Sequence, residues 1–499
     1  MSILLKTAIL YLKSEINIII MKKKCYYALK GVLIMQTFHY PIKNRKLKDL
    51  ATQDAVNSLV SQMFVWQQSA GSIGSLILHS CWGNTSTLEK RYQGEYTSNF
   101  VSQMRTLRRL YDISHNKKWR IMMNSMASEL LYLQESNGGF IHATAEFEPC
   151  FSTEHGCPIH WFNPIIALCE YYTWEYAEED IKASIPEAVD KHWEWSLKKS
   201  WQNGNTYTGR LNHAGWCGVT NQDLVAIHAI VLSAKLFGKE EKYEKYAKPA
   251  LDYIFENNYY EALGLFERGD QPNFAERTAY YDVILPTLEK LYELLGEKRL
   301  LDAYDNVTSH LFDAAFVDEK GFTHLKRGAI TDACDKTVRL GWEDGAIATG
   351  TYFALSGHME KYLKRHPDAE KEKIKEALLD TVAAYVLADG NFPRGVFNPN
   401  PLFHIAGGAI SLGWLNKIMD ILGSDLKEPE IVDIPCTHRK NQNFVWKQNG
   451  RVWAIEIDGV RSYGGYTRYP AGITVGPEEP LIMGDFESLE NPEIIEIIE

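Results

Sequence analysis

The chain has 499 residues, an apolar fraction of 45%, a charged fraction of 23% and a net charge of −11. That balance argues against nucleic acid as a general partner, because phosphate binding needs clustered Lys and Arg. It leaves room for a locally basic cleft that accepts an acidic sugar.

Aromatic residues are abundant: 13 Trp, 27 Tyr and 20 Phe make 12% of the chain. Many serve the core, but flat apolar faces with a polar edge also suit sugar and nucleobase sites. The eight cysteines (Cys25, Cys81, Cys150, Cys157, Cys169, Cys217, Cys334, Cys436) are scattered and form no CxxC pair. They read as reduced, mostly buried thiols, and no metal site or other cofactor is expected.

Residues 1–46 read as an N-terminal extension. Two short apolar runs, Ile3 to Leu12 and Ile16 to Ile20, precede Met21-Lys22-Lys23-Lys24 and a run from Cys25 to Met35 that carries Lys30. This is either a poor signal peptide or a start upstream of a natural Met21 or Met35. The first implies a periplasmic or secreted protein, and a start at Met35 implies a cytoplasmic one. No later stretch reaches the roughly 18 apolar residues a membrane span needs.

From Leu47 to about residue 425 the chain alternates two helix types. After an opening helix over Leu47 to Gln67 and a second over Glu95 to Tyr111, outward candidates carry one apolar stripe, as in Glu240 to Glu256 and Ala369 to Leu387. Inward candidates are apolar on most sides: Trp161 to Trp174, Leu224 to Leu236, Tyr280 to Leu294, Ala346 to Leu355 and Ile405 to Ile421. A Gly-aromatic turn separates each outer helix from the next inner one. It recurs at Gly138, Gly204, Gly264, Gly321 and Gly390, at intervals of 66, 60, 57 and 69 residues. Such self-similarity marks a repeat of helical hairpins. With an apolar inner row, closure into a ring is expected, because an open superhelix would leave that row wet.

Past Gly423 the character changes. Lys427 to Pro435 reads as a linker, and Phe444 to Gln448, Asn449-Gly450 and Arg451 to Ile457 read as a β-hairpin. Residues 426–499 are expected to form a small β-rich cap.

On this repeat plan, residues 50–425 resemble the six-hairpin (α/α)6-toroid carbohydrate-active enzymes, which include glycoside hydrolases and polysaccharide lyases. The resemblance implies a mainly α toroid, with a catalytic domain over 47–425 and an oligo- or polysaccharide substrate. Toroid lyases carry far larger β domains than this cap, which favours a hydrolase.

In such a ring the loops before the inner helices share one face, so their polar residues converge on one funnel. Five sets result: His155, His160, Trp161 and Asn163; His213, Trp216, Asn221, Gln222 and Asp223; Glu276, Arg277, Tyr280, Tyr281 and Asp282; Trp342, Glu343 and Asp344; and Arg394, Asn398 and His404. Bland roles stand beside the chemical ones. Thr220-x-x-Asp223 is close to a capping box. Glu343 and Asp344 can complement a helix dipole, and Glu276 with Arg277 can form a structural ion pair. His228, inside an apolar face, reads as a core histidine.

A glycoside hydrolase needs an acid to protonate the leaving oxygen and a carboxylate to activate water or attack the sugar. Asp223, Glu276, Glu343 and Asp344 are the candidates, with Asp223 paired to Glu343 or Asp344 preferred. The alternative is a lyase cleaving a uronic-acid polymer by β-elimination. There Tyr280, His160 or His213 would act as acid and base, and Asn221 or Arg277 would neutralise the carboxylate. His160, Trp161, Asn163, Trp216, Asn221, Gln222, Arg277, Trp342, Arg394 and His404 are the substrate-binding candidates. A non-enzymatic helical-repeat binding protein is the third reading, favoured if the sets lie on different faces.

Overall fold

The computed structural model describes residues 42, 44–60, 78–84, 89–94, 100–132, 134–140, 158–197, 218–269, 274–332, 334–386, 392–393, 403–404, 409–430, 443–448, 451–457, 460–463 and 493–497. The N-terminal runs, the turns at Gly204 and Gly390, and His155, His213, Trp216, Arg394 and Asn398 lie outside the described residues.

Six inner helices follow one another around a circle: α1 (Phe100–Ser114), α3 (Pro158–Tyr172), α5 (Thr220–Phe237), α7 (Tyr281–Leu295), α9 (Thr351–Arg365) and α11 (Ala409–Leu422). Each packs on the next, and α11 packs back on α1. The closing seam is polar. Asn416 Nδ2 donates to Thr106 Oγ1 at 3.0 Å, Arg109 Nη1 donates to the Asn416 carbonyl at 3.2 Å, and Arg109 pairs with Asp420 at 2.8 Å.

Outer helices return each hairpin: α2 (Lys117–Tyr132), α4 (Glu179–Ser196), α8 (Lys298–Asp313) and α10 (Ala369–Tyr385). Between α5 and α7 the outer member, α6, runs through Glu240–Lys242 and Lys248–Tyr253 with π-helical turns at Tyr243–Ala247 and Ile254–Asn258. The sixth outer position falls to the N-terminal segment. Its helix Leu47–Leu50 packs on α10 and α11, Arg45 donates to the Val386 carbonyl at 2.7 Å, and helical residues 53–60 follow. The fold is thus a mainly α, six-hairpin toroid, and no helix among the described residues is long and apolar enough to cross a membrane.

Strands decorate it. β1 (Leu78–Asn84), β2 (Glu89–Gly94), β9 (Phe392–Pro393) and β10 (Phe403–His404) form one sheet. The hairpins β3–β4 (Tyr259–Tyr260, Leu265–Phe266), β5–β6 (Ala315–Val317, Thr323–Leu325) and β7–β8 (Ala329–Thr331, Arg339–Trp342) sit between helices. The C-terminal sheet, β11 (Asn443–Gln448), β12 (Arg451–Ile457), β13 (Val460–Tyr463) and β14 (Glu493–Ile497), contains the expected Asn-Gly hairpin as β11–β12.

Two expectations need correction. The helix expected from Ala346 begins at Thr351, because Ala346 bridges to Lys326 and residues 347–350 lead from that bridge into the helix. The inner row is also not apolar throughout. Within the inner row Glu289 pairs with Lys361 at 2.7 Å and Lys417 with Glu360 at 3.2 Å, and Arg105 donates to Glu170 at 2.8 Å.

The repeated glycines earn their place by geometry. Gly138 and Gly264 have φ of +97° and +60°, and a Cβ would lie 2.1 Å from the Lys191 carbonyl oxygen and 2.5 Å from that of Asn306. Gly321 has φ +89° with nothing within 4 Å of such an atom. Gly138→Ala and Gly264→Ala should therefore each cost more than about 2 kcal/mol, while Gly321→Ala carries only the conformational part, about 1 kcal/mol. Denaturant unfolding of the three variants measures this; equal losses would show that the turns do not abut the next outer helix.

Within this frame His192, His228 and His310 are buried and His358 is half-buried. Burial pulls His192 and His358 to about 3, and His228 and His310 to about 4. The unfolded chain protonates these groups near pH 6.5. Between that pH and the folded values the unfolded state binds more protons, so stability falls as pH drops from about 6.5 towards about 4. His192, whose Nδ1 lies 3.2 Å from the Gly138 carbonyl oxygen, tests this. In His192→Gln the thermal midpoint should fall less steeply over that range than in the parent; parallel pH profiles would contradict it.

Candidate active site

The candidate site lies at the N-terminal ends of α5, α7 and α9. The first turn of α5 is held by backbone and hydroxyl contacts to the strand segment after β4. Thr220 N–H donates to the Arg268 carbonyl at 3.1 Å, and Thr220 Oγ1 donates to the Glu267 carbonyl at 2.7 Å. Asn258 Nδ2 donates to the same hydroxyl at 3.0 Å. Thr220 is therefore not a helix cap. The N-cap is Val219, which lacks a capping side chain, so the expected capping box is absent.

Asp223 sits one turn further in, 1% exposed, and its Oδ2 accepts the Gly218 N–H at 3.0 Å. Asn221 and Gln222 are buried beside it. Trp161, on α3, is also buried and meets Trp195 edge-on at 5.5 Å, while Asn163 is half-buried. His160 lies in α3 and His404 in β10, opposite Trp82.

Glu276 belongs to the same cluster. Its side chain has no exposed surface; Oε2 accepts the Asn221 N–H at 3.4 Å, and Oε1 lies 3.6 Å from Arg268 Nη1. A carboxylate at a helix N-terminus and beside a guanidinium is doubly favoured. The cation that pairs with Glu276 is Arg268, not the neighbouring Arg277 expected from the sequence. Arg268 also lies over the Tyr280 ring at 5.7 Å. Tyr281 is core: its hydroxyl accepts the Phe266 N–H at 3.3 Å, and burial pushes it well above the usual phenol range.

The Trp342–Asp344 set hangs on a strand ladder shared with the Glu276 set. Glu276 N–H donates to the Phe266 carbonyl, Ala275 N–H to Ala329, Thr278 N–H to Arg327 and Glu343 N–H to Gly328. Ala329 in turn pairs with Trp342. Glu276, Arg277 and Glu343 are thereby carried on adjacent rungs. Gly328 lies between them, since a Cβ there would be 3.5 Å from Glu343 Cδ and 3.8 Å from Arg277 Cα. Glu343, 20% exposed, lies 3.5 Å from Arg327 Nε; Asp344 is exposed. The Trp342 ring packs against His310, stacked at 5.3 Å, and against the Arg339 guanidinium at 4.5 Å.

Four of the five predicted sets are thus placed, in part or wholly, at the N-terminal ends of inner helices: His160, Trp161 and Asn163 in α3, Asn221 to Asp223 in α5, Glu276 to Asp282 at α7, and Trp342 to Asp344 before α9. The residues missed are Arg268, Arg327 and Arg339. A signal for the first two was available: Arg-Gly recurs at Arg268-Gly269, Arg327-Gly328 and Arg394-Gly395, each a few residues past a Gly-aromatic turn. The glycine permits close backbone approach, as at Gly269, where a Cβ would lie 2.0 Å from the Gly218 carbonyl oxygen.

No protein-family profile and no curated protein matches the chain. Solved structures similar to it include a cellobiose 2-epimerase from Bacillus thermoamylovorans, with 10% identity and a TM-score of 0.49 over 73% of this chain and 98% of that one. An unsaturated glucuronyl hydrolase from Bacillus sp. GL1 matches with 10% identity and a TM-score of 0.46 over 76% and 97%. A polysaccharide lyase matches with 10% identity and a TM-score of 0.45 over 74% and 96%. All three are carbohydrate-active enzymes with different reactions, so the reaction of this chain has to be argued from its own residues.

Breaking the buried Glu276–Arg268 contact should be costly. Glu276→Ala is expected to lose about 3–5 kcal/mol of stability, because it leaves the Arg268 charge in a largely buried place. Arg268→Ala should lose a similar amount. Chemical denaturation checks both; wild-type stability in either would mean the contact is dispensable.

Proposed function

We propose that this protein is a glycoside hydrolase whose carboxylate pair is Asp223 and Glu343. The observation that supports it is convergence: Glu276 and Glu343 are carried on one hydrogen-bonded ladder with Trp342, and the first turn of α5, which carries Asp223, is tied to that ladder through Thr220 and the Arg268 carbonyl. Asp344 is exposed, whereas Glu343 turns its carboxyl over Gly328, which favours Glu343 as the second acid. Glu276 is read as the anchor of Arg268 and α5. One of the pair protonates the leaving oxygen and the other activates water or attacks the sugar. The substrate is an oligo- or polysaccharide.

Asp223→Asn and Glu343→Gln keep the shape and most hydrogen bonds while removing the charge. Each should lower hydrolysis of a cleavable glycan by about 10²–10⁴-fold with little change in melting temperature. Full activity in both would remove the assignment.

A second reading is favoured by one contact, the guanidinium of Arg268 over Tyr280, since a nearby cation suits a phenol acting as base in β-elimination. With a uronic-acid polymer as substrate, new reducing ends without unsaturated-product absorbance indicate hydrolysis. A rise in that absorbance, abolished by Tyr280→Phe, indicates the lyase.

A further inference from the structure

The last turn of α6 is a π-turn, closed by the Tyr259 N–H donating to the Ile254 carbonyl five residues back. An α-turn closes four residues back, so this turn carries one residue more than the helix before it. Such wide turns are frequent at functional sites. Ile254 and Asn258 are buried on its inner side, while Glu256 and Asn257 are exposed. A buried carboxamide is costly unless it is hydrogen-bonded. The Asn258 carbonyl accepts the Glu267 N–H at 2.7 Å, and its Nδ2 donates to Thr220 Oγ1 at 3.0 Å, at the first residue of α5.

The same amide nitrogen lies beside a close backbone crossing. A Cβ on Gly269 would lie 2.0 Å from the Gly218 carbonyl oxygen and 3.3 Å from Asn258 Nδ2. Gly218 supplies the N–H that Asp223 Oδ2 accepts at 3.0 Å. Asn258 therefore abuts two supports of Asp223. One is the start of α5, reached through Thr220, and the other is the crossing that fixes the Gly218 backbone.

We propose that Asn258 is a positioning residue for Asp223, holding the first turn of α5 and the Gly218 crossing at the separation that the Asp223 hydrogen bond requires. This rests on the reading of Asp223 as one of the carboxylate pair. Reacting groups keep a productive geometry only when the residues behind them are themselves fixed. A misplacement of about 1 Å can cost on the order of 10²-fold in rate. With Asn258 shortened, Thr220 keeps its hydroxyl bond to the Glu267 carbonyl and its N–H bond to the Arg268 carbonyl. The helix start is thus retained while the carboxylate loses its exact seat.

The test is a double-mutant cycle on turnover. An oligogalacturonide and a neutral xylo-oligosaccharide are the probes, and new reducing ends are the signal. Asn258→Ala should lower kcat about tenfold or more and change KM less than about twofold. Asn258→Asp, which keeps the shape and loses the donor, should do the same. In the Asp223→Asn background either substitution should lower the residual rate less than about twofold, because residues that act as a unit are not additive. An equal loss in both backgrounds, or a rise in KM with kcat unchanged, overturns the positioning role. Full activity in Asp223→Asn alone removes the carboxylate assignment, and this inference falls with it. Hydrogen exchange over residues 218–224 needs no substrate. It should quicken in Asn258→Asp while exchange over α9 stays as in the parent; unchanged exchange overturns the inference whatever the activity shows.

Discussion

Closure between the first and last inner helices is the constraint on which the architecture depends. Helices α1 and α11 are about 300 residues apart in sequence, and a seam of Arg109, Thr106, Asn416 and Asp420 joins them. Without that seam the buried faces around Leu107, Leu110, Trp414 and Ile418 would meet water. Burying a side chain of this size stabilises by about 1.5–3 kcal/mol relative to exposure, so an open arch loses several such terms at once. The polar seam adds direction. Hydrophobic contact alone is indifferent to register, whereas an Asn that both donates to Thr106 and accepts Arg109 through its backbone carbonyl allows few offsets between the two helices.

The same closure sets up the candidate site. Once the inner helices stand in a ring with a common direction, the loops entering α5, α7 and α9 share one end. Short strands then fasten those loops laterally, from Phe266 through Ala275 and Ala329 to Trp342. Glycines at 269 and 328 let the rungs approach, and the arginine before each faces an acid from the following loop. A repeat that serves stability at Gly138, where a turn abuts the Lys191 backbone, serves placement of charge further along.

Some of this was legible from residue order. A helix apolar all round, such as Thr220–Phe237, has to be inside, and one with a single stripe, such as Ala369–Tyr385, can only be outside. Gly-aromatic turns showed the period, and Asn449-Gly450 showed the C-terminal hairpin. His228 read as core and is core. The β1–β2 hairpin was not seen, because Leu78 to Gly94 lacks a clean alternation of apolar and polar residues. Ala346 to Ala348 look helical alone, but the bridge of Ala346 to Lys326 holds them outside α9.

The linear order of residues thus determined the number and kind of helical layers and the loops that carry polar groups, because burial pattern and turn chemistry are local properties of the chain. The tertiary structure decided the partners. Glu276 chose Arg268 over its neighbour Arg277, Trp342 took His310 and Arg339 as ring partners, and Thr220 bonded to Glu267 instead of capping its own helix. Such choices depend on which backbones meet when the ring closes, and that is not written in the spacing of the residues involved.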